Sequence, residues 1–296
     1  MKTYVTKKIL ETVAVSEFKS GDLDLALKIR ASLKSDFIFS HLVADSDNSL
    51  LKDLLRFTET DRTSNKLIQT QVEKFREAEI KVKDAVYNLG GFLTNPVSDI
   101  LLFMRKTKVD FYVVGGTVRD AIANKPSNDV DFCTDCDLEI VKGLFEESEK
   151  FSVKETGKQF LVLTVTHRAT KTAFEIAQFR KDKDNSGGVV GTMREDAERR
   201  DFTNSSLYFN VNTDTLVDPL GNLDDAIDMV LRFNGDADKR IEEDPLRVVR
   251  FYKFAGRGFA TDKNSLKAVR RNFEKAINEV SKTRLMVELE KITGVR

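Results

Sequence analysis

Residues 111–135, FYVVGGTVRDAIANKPSNDVDFCTD, constrain this chain more than any other stretch. They open with an unbroken apolar run, residues 111–114, the pattern of a short buried strand. Gly115 and Gly116 follow, and the spacing from Thr117 to Ile122 is helical. A strand, a glycine turn and a helix start in succession present outward-pointing backbone N–H groups, and glycine lets a phosphate come close to them. Arg119 adds a cation just past the turn. After a loop containing Pro126, Asp129-Val130-Asp131-Phe132 reads as a second short strand. Positions i and i+2 of a strand share a face, so Asp129 and Asp131 present two carboxylates side by side. Like charges held that close are costly unless a divalent cation sits between them. A glycine pair alone is an ordinary turn, and Asp-x-Asp alone an ordinary solvated strand face. Their succession points to nucleotide chemistry with Mg²⁺.

The rest of the chain sets bounds. Its 296 residues allow one large domain or two modest ones, and 41% hydrophobic content with 21 Phe supports a substantial core. The 48 basic residues balance 48 acidic ones, so a nucleic-acid surface has to be local. The first residues, MKTYVTKKILETV, are charged with no apolar core, and no apolar run approaches membrane-spanning length. A cytoplasmic protein with no membrane partner is expected. Cys133 and Cys136 form a C-x-x-C, but a redox or zinc reading needs a thioredoxin-like context or two further ligands. A strand-packing thiol and a turn cysteine are expected instead.

The segments G-G-T-V-R-D and D-V-D-F-C-T together resemble the signature of the class II tRNA nucleotidyltransferase and bacterial poly(A) polymerase family. Residues 173–180, AFEIAQFR, read as a strand with Glu175 in the middle. By alternation alone Glu175 faces solvent; the family carries a third metal-site carboxylate on the matching strand, so the resemblance implies that role for Glu175. Residues 181–192, KDKDNSGGVVGT, form a polar loop where the family has a mobile one. Residues 194–203, REDAERRDFT, look like the family's R-R-D-F-T segment, which implies Arg200 as a phosphate clamp and Asp201 as an acceptor for the nucleotide sugar. The family continues I-N-A; this chain has Asn204-Ser205-Ser206, with Ser205 at the family's Asn position. Residues 218–225, DPLGNLDD, resemble D-P-x-G-G-x-x-D, with Asn222 at the second glycine, a residue that also tolerates left-handed backbone.

Glu243-Asp244-Pro245-Leu246-Arg247 matches the family's E-D-x-x-R, whose Asp and Arg read the incoming base without a template. Asp244 and Arg247 are i and i+3 at a helix start and share a face. An isolated pair of this kind is usually an exposed salt bridge. As base readers, ionised Asp only accepts hydrogen bonds and Arg only donates them. Cytosine and adenine each offer an amino donor beside a ring-nitrogen acceptor, whereas uracil and guanine carry N–H where Arg needs an acceptor. A fixed Asp/Arg pair therefore passes C and A and rejects U and G.

The resemblance covers roughly residues 93–296. It implies an α/β nucleotidyltransferase head with a mixed sheet over 93–228 and a helical neck over 229–296 that selects the base and binds RNA. Residues 1–92 look helical, carry no motif and form an added module of unassigned role. The neck holds 16 Lys and Arg against 10 Asp and Glu, which fits an RNA-facing surface. The implied activity is template-independent addition of CMP and AMP to tRNA 3′ ends from CTP and ATP. Poly(A) polymerase and a catalytically silent RNA-binding relative are the alternatives. The partner the resemblance implies is RNA, most of all a tRNA 3′ end, with no DNA expected. The implied metal ligands for two Mg²⁺ are Asp129, Asp131 and Glu175, which are also the catalytic set. The implied nucleotide contacts are Gly115, Gly116, Arg119, Asp120, Arg200, Asp201, Asp244, Arg247 and Arg250.

Overall fold

The computed structural model describes residues 62–88, 95–127, 130–157, 161–182 and 188–293. Asp129 and the helical patterns read within residues 1–61 lie outside the described residues. The chain runs α1 (Arg62–Asn88), α2 (Pro96–Lys106), β1 (Phe111–Val114), α3 (Gly116–Ile122), β2 (Asp131–Thr134) and α4 (Leu138–Glu146). Next come β3 (Phe151–Gly157), β4 (Val162–His167), β5 (Ala173–Gln178), a hairpin of β6 (Arg180–Asp182) and β7 (Gly188–Val190), and α5 (Met193–Glu198). Then follow β8 (Tyr208–Asn210), β9 (Thr215–Val217), α6 (Leu223–Ile227) and β10 (Val230–Leu231). The final stretch holds α7 (Ala237–Glu243), α8 (Leu246–Gly256), β11 (Ala260–Thr261), α9 (Lys263–Glu279) and α10 (Lys282–Thr293).

Seven strands form one sheet in the order β3-β4-β5-β2-β1-β8-β9. Only the β2–β5 pair is parallel, so the sheet is mixed as expected. Alternation along the strands gives it two faces. Phe111, Val113, Phe132, Phe174, Ile176 and Phe209 point to one face, where they pack with residues of α1, α2 and α4 in a single core. Each buried Phe there contributes about 1.5–3 kcal/mol relative to exposure. Tyr112, Val114, Cys133, Tyr208 and Val217 point to the other face, against Met193 and Ala197 of α5. Cys133 is thus a strand-packing thiol, and both cysteines are free.

Local signals explain the helix that feeds β1. Asn95 Oδ1 caps α2 by accepting from the Val97 amide at 2.8 Å, and Pro96 occupies the first turn. Helix α1 is a structural partner of the sheet: Phe75, Ala78, Val82 and Val86 enter the same core as β1 and β2. Lys74 pairs with Asp224 at 3.1 Å, and Glu79 accepts from the Leu216 amide at 2.9 Å. The described part of the N-terminal helical stretch therefore packs in the core of the head.

The helical end of the chain has its own core, built from Leu231, Phe233, Ile241, Val248, Phe251, Phe259 and Val269. Phe202 joins this second core although it follows α5 directly. At the connecting turn Asp218 accepts from the amides of Asn222 and Leu223, each at 2.9 Å. The left-handed residue in that turn is Gly221 (φ 73°), not Asn222 (φ −98°). Asn222 instead uses its side-chain amide, donating to Ser206 Oγ at 2.9 Å.

Candidate active site

The site is built around the turn between β1 and α3. Gly115 takes φ 67°, a region in which a side chain is strained. A Cβ on Gly115 would lie 3.7 Å from Arg200 Nη1, and one on Gly116 would lie 3.6 Å from Arg119 Nη2. Two guanidinium groups, distant in sequence, therefore flank the glycine turn.

Arg200 is held from behind. Its Nε donates to Tyr208 Oη at 3.1 Å and its Nη2 to Asp196 Oδ2 at 2.8 Å, while the Tyr208 hydroxyl donates to the same carboxylate oxygen at 2.7 Å. The Asp196 carboxylate also pairs with Arg199 at 2.7 Å and is 1% exposed. Burial pushes the Asp196 carboxyl up, but the Arg200 and Arg199 guanidiniums outweigh it and hold it below the ordinary range. Burial pushes the Tyr208 hydroxyl well up, so it stays protonated as a donor. With Nε and Nη2 engaged, Nη1 is the edge turned to the glycines.

Arg119 is held from the other side. Its Nε donates to Asp120 Oδ1 at 2.8 Å, its Nη1 to Ser205 Oγ at 3.3 Å, and its guanidinium lies 4.2 Å from the Phe254 ring centre. Ser205, at the family's Asn position, thus touches Arg119, while the neighbouring Asn204 turns inward to the Val230 carbonyl at 2.7 Å. Asp120 is 3% exposed, with Arg257 Nη2 on its second oxygen at 3.0 Å. Its two oxygens therefore serve these two arginines, Oδ1 on Arg119 and Oδ2 on Arg257.

The carboxylates lie beside the same turn. Val114 pairs with Asp131 across β1 and β2, and Phe132 pairs with Ile176 across β2 and β5. Asp131 and Glu175 each immediately precede one member of that second pair, so they occupy neighbouring strand positions on the Cys133 face, and both are exposed. Among the described residues no group of three His, Cys, Asp or Glu side chains converges on a metal-sized site. Asp131 and Glu175 supply an all-oxygen donor pair, the type Mg²⁺ takes together with water and substrate phosphates.

At the edge of the head, Asp201 accepts from Arg247 Nε at 2.8 Å and pairs with Arg250 Nε at 2.7 Å. Arg247 is 5% exposed, and its Nη1 donates to the Arg240 carbonyl at 2.6 Å and to Glu243 at 2.8 Å. Asp244 is extended (φ −146°, ψ 98°) between α7 and α8. Its carboxylate accepts from Arg250 at 2.8 Å and from Arg284 at 3.1 and 3.0 Å. Burial pushes the Asp244 carboxyl up, but the neighbouring Arg250 and Arg284 outweigh it and hold it below the ordinary range. Asp244 and Arg247 each have other ionic partners, so the simple i,i+3 salt bridge is not what forms.

The loop over 181–192 begins and ends as the β6–β7 hairpin, with residues 183–187 outside the described residues. The positioning residues Asp196, Tyr208, Arg257 and Arg284 were not among the sequence candidates. Asp196 had a signal, since it sits on α5 three and four residues before Arg199 and Arg200, which directly follow the helix end. Tyr208 had none nearby: strand pairing with Val114 brings it in.

A mixed sheet whose glycine turn carries two guanidiniums beside exposed strand carboxylates defines a nucleotidyltransferase head. Residues 111–232 match the poly A polymerase head domain. The mitochondrial CCA tRNA nucleotidyltransferase 1 of Danio rerio is 31% identical over 211 residues, 68% of this chain and 48% of that protein. The structure of the Bacillus stearothermophilus CCA-adding enzyme in complex with CTP matches with 30% identity and a TM-score of 0.56, over 66% of this chain and 47% of that one. A tRNA nucleotidyltransferase complexed with a primer tRNA and an incoming ATP analogue matches with 28% identity and a TM-score of 0.51, over 64% of this chain and 55% of that one. The chain belongs to the class II tRNA nucleotidyltransferase and poly(A) polymerase family, and it spans about half the length of these relatives. Among the described residues no helix is long and apolar enough to cross a membrane.

Proposed function

We propose that the chain is a template-independent RNA 3′-end nucleotidyltransferase that adds CMP and AMP to tRNA 3′ ends from CTP and ATP. The observation that carries this reading is the meeting of Arg119 and Arg200 at the Gly115–Gly116 turn beside the exposed carboxylates of Asp131 and Glu175. In this reading the 3′-hydroxyl oxygen attacks the α-phosphorus, the bond to the β-phosphate oxygen breaks, and pyrophosphate leaves. Arg200 Nη1 and the Arg119 guanidinium hold the triphosphate at the turn, and Gly115 leaves room for it. Asp131 and Glu175, with Asp129 two residues before Asp131 in sequence, would hold Mg²⁺. The metal when bound lowers the pKa of the attacking hydroxyl and neutralises charge on the leaving group.

Base choice falls to Asp244 and Arg247. Arg247 Nη2 makes a contact of 3.5 Å with the Arg199 carbonyl, at the limit of a hydrogen bond, so it keeps donor capacity for a ring nitrogen. Arg284 is the exposed partner of Asp244 and gives way when a base amino group takes its place. Asp201 and Arg250 keep the pair in register from behind rather than meeting the sugar. A cytoplasmic location and an RNA-facing surface on the neck belong to the same reading, and the balance of basic residues after 229 supports the latter.

The match to a poly A polymerase head favours a second reading, addition of AMP alone. The test is purified protein with Mg²⁺, labelled CTP, ATP, UTP and GTP singly and in pairs, and tRNA lacking its 3′ end beside an unstructured RNA. The proposal predicts C and A added to tRNA only, stopping after three nucleotides. A long A tract on either RNA makes it a poly(A) polymerase. No incorporation overturns both.

A further inference from the structure

Helix α8 meets the head along one stripe. Arg247, Arg250, Phe254 and Arg257 are spaced i, i+3, i+7 and i+10, and so share a face over about 15 Å. At one end Arg247 and Arg250 engage Asp201, and Arg250 also engages Asp244. At the other end the Phe254 ring lies 4.2 Å beneath the Arg119 guanidinium, and Arg257 Nη2 binds Asp120 at 3.0 Å. Asp120 in turn holds Arg119 through Nε at 2.8 Å and Nη2 at 2.7 Å. Phe254 also packs at 5.8 Å against Phe202, the residue after Asp201. Lys125 donates to the Arg257 carbonyl and stands 4.6 Å from the Phe259 ring, closing the far side of the joint. The arginine beside the phosphate turn is therefore gripped by the same helix that begins at the base-reading pair.

The geometry points to Arg257 and Phe254 as positioning residues for nucleotidyl transfer. Neither reaches the glycine turn. They act through Asp120 and Arg119, tying the phosphate-side cation to α8 so that the base-reading edge and the phosphate turn form one rigid unit. A base that seats poorly on Asp244 and Arg247 then strains the alignment of Arg119 with the phosphates, and selection extends from binding to the rate of transfer. This inference rests on the proposed function and deepens it.

The test uses the full chain as wild type, Arg257→Ala, Arg257→Lys and Phe254→Leu. It measures kcat and KM for CMP addition, the ratio of CMP to UMP incorporated, and the thermal midpoint. Misplacement of a positioned group far from the chemistry costs about tenfold to a hundredfold in rate. Arg257→Ala is expected to lose that much in kcat with little change in KM, to incorporate more UMP relative to CMP, and to keep a midpoint near that of wild type. Arg257→Lys recovers part of both kcat and selectivity, and Phe254→Leu loses selectivity in the same direction. Wild-type kcat and nucleotide choice in Arg257→Ala and Phe254→Leu overturn the inference, as does a loss of activity wholly matched by loss of folded protein. An active wild type in that experiment leaves the parent reading standing while this one falls. An inactive wild type overturns both.

Discussion

Arg200 Nη2 lies 2.8 Å from Asp196 Oδ2, and the Tyr208 hydroxyl reaches the same oxygen from 2.7 Å. Asp196 and Tyr208, both buried, aim the remaining edge of the half-buried Arg200 at Gly115. Removing the tyrosine hydroxyl loosens Arg200 without removing its charge. Tyr208→Phe is expected to raise the KM for CTP about tenfold, the effect of losing roughly 1.4 kcal/mol of positioning, close to the low end of the roughly 1.5–3 kcal/mol of a hydrogen bond to a charged group. Steady-state kinetics at varied CTP checks this, and an unchanged KM contradicts it.

Asp196 and Asp244 both have carboxyls held below their ordinary range by facing arginines, against the upward push of burial. A depressed carboxyl contributes stability that is fully present above the unfolded value of about 3.9 and is lost as pH falls through the folded value. Thermal midpoints are therefore expected to hold steady from neutral pH down to about 5 and to fall steeply below about 4. Asp196→Asn lowers the midpoint at neutral pH and flattens the acid limb, because it leaves Arg199 and Arg200 without their buried partner. A variant with the wild-type acid limb contradicts this account.

Phe75 on α1 is 5% exposed and packs in the same core as the central strands. Phe75→Ala is expected to destabilise the head by about 3–5 kcal/mol, the usual cost of emptying a buried Phe site. Denaturant unfolding checks this. A loss under about 1 kcal/mol would mean that α1 is a peripheral attachment.

Gly191 closes the β6–β7 hairpin onto its partner strand. A Cβ there would lie 2.8 Å from the Lys181 amide nitrogen and 2.9 Å from the Arg180 carbonyl carbon, both backbone atoms. Gly191→Ala is expected to displace the hairpin and destabilise the protein by about 1–3 kcal/mol. Faster amide exchange at Lys181 and Val190 is the readout, and wild-type exchange rates contradict it.

The motif-bearing strand, turn and helix were legible because their signals are local: an apolar run, two glycines and a helical spacing within a dozen residues. The capped start of α2 rests on equally local signals, Asn95 and Pro96. Strands β8 and β9 were not legible, because each has three residues, too few for alternation to register, and their places follow from pairing with β1 and with each other. Asp120 shows what local pattern leaves out: its partner Arg257 lies 137 residues later and reaches it only through tertiary packing. Asp244 and Arg247 were legible as a pair by spacing, but their ionic partners Asp201, Arg250 and Arg284 come from tertiary packing that no local pattern records.

The central claim is that the carboxylate face of β2 and β5, beside the arginine-flanked turn, performs the chemistry. The most direct measurement is Mg²⁺-dependent CMP incorporation into tRNA lacking its 3′ end by wild type and Asp131→Asn, with CTP binding and thermal midpoint recorded for both. The account predicts that Asp131→Asn keeps its fold and binds CTP within about tenfold of wild type, yet loses incorporation by about a thousandfold. Incorporation by Asp131→Asn at the wild-type rate would contradict it.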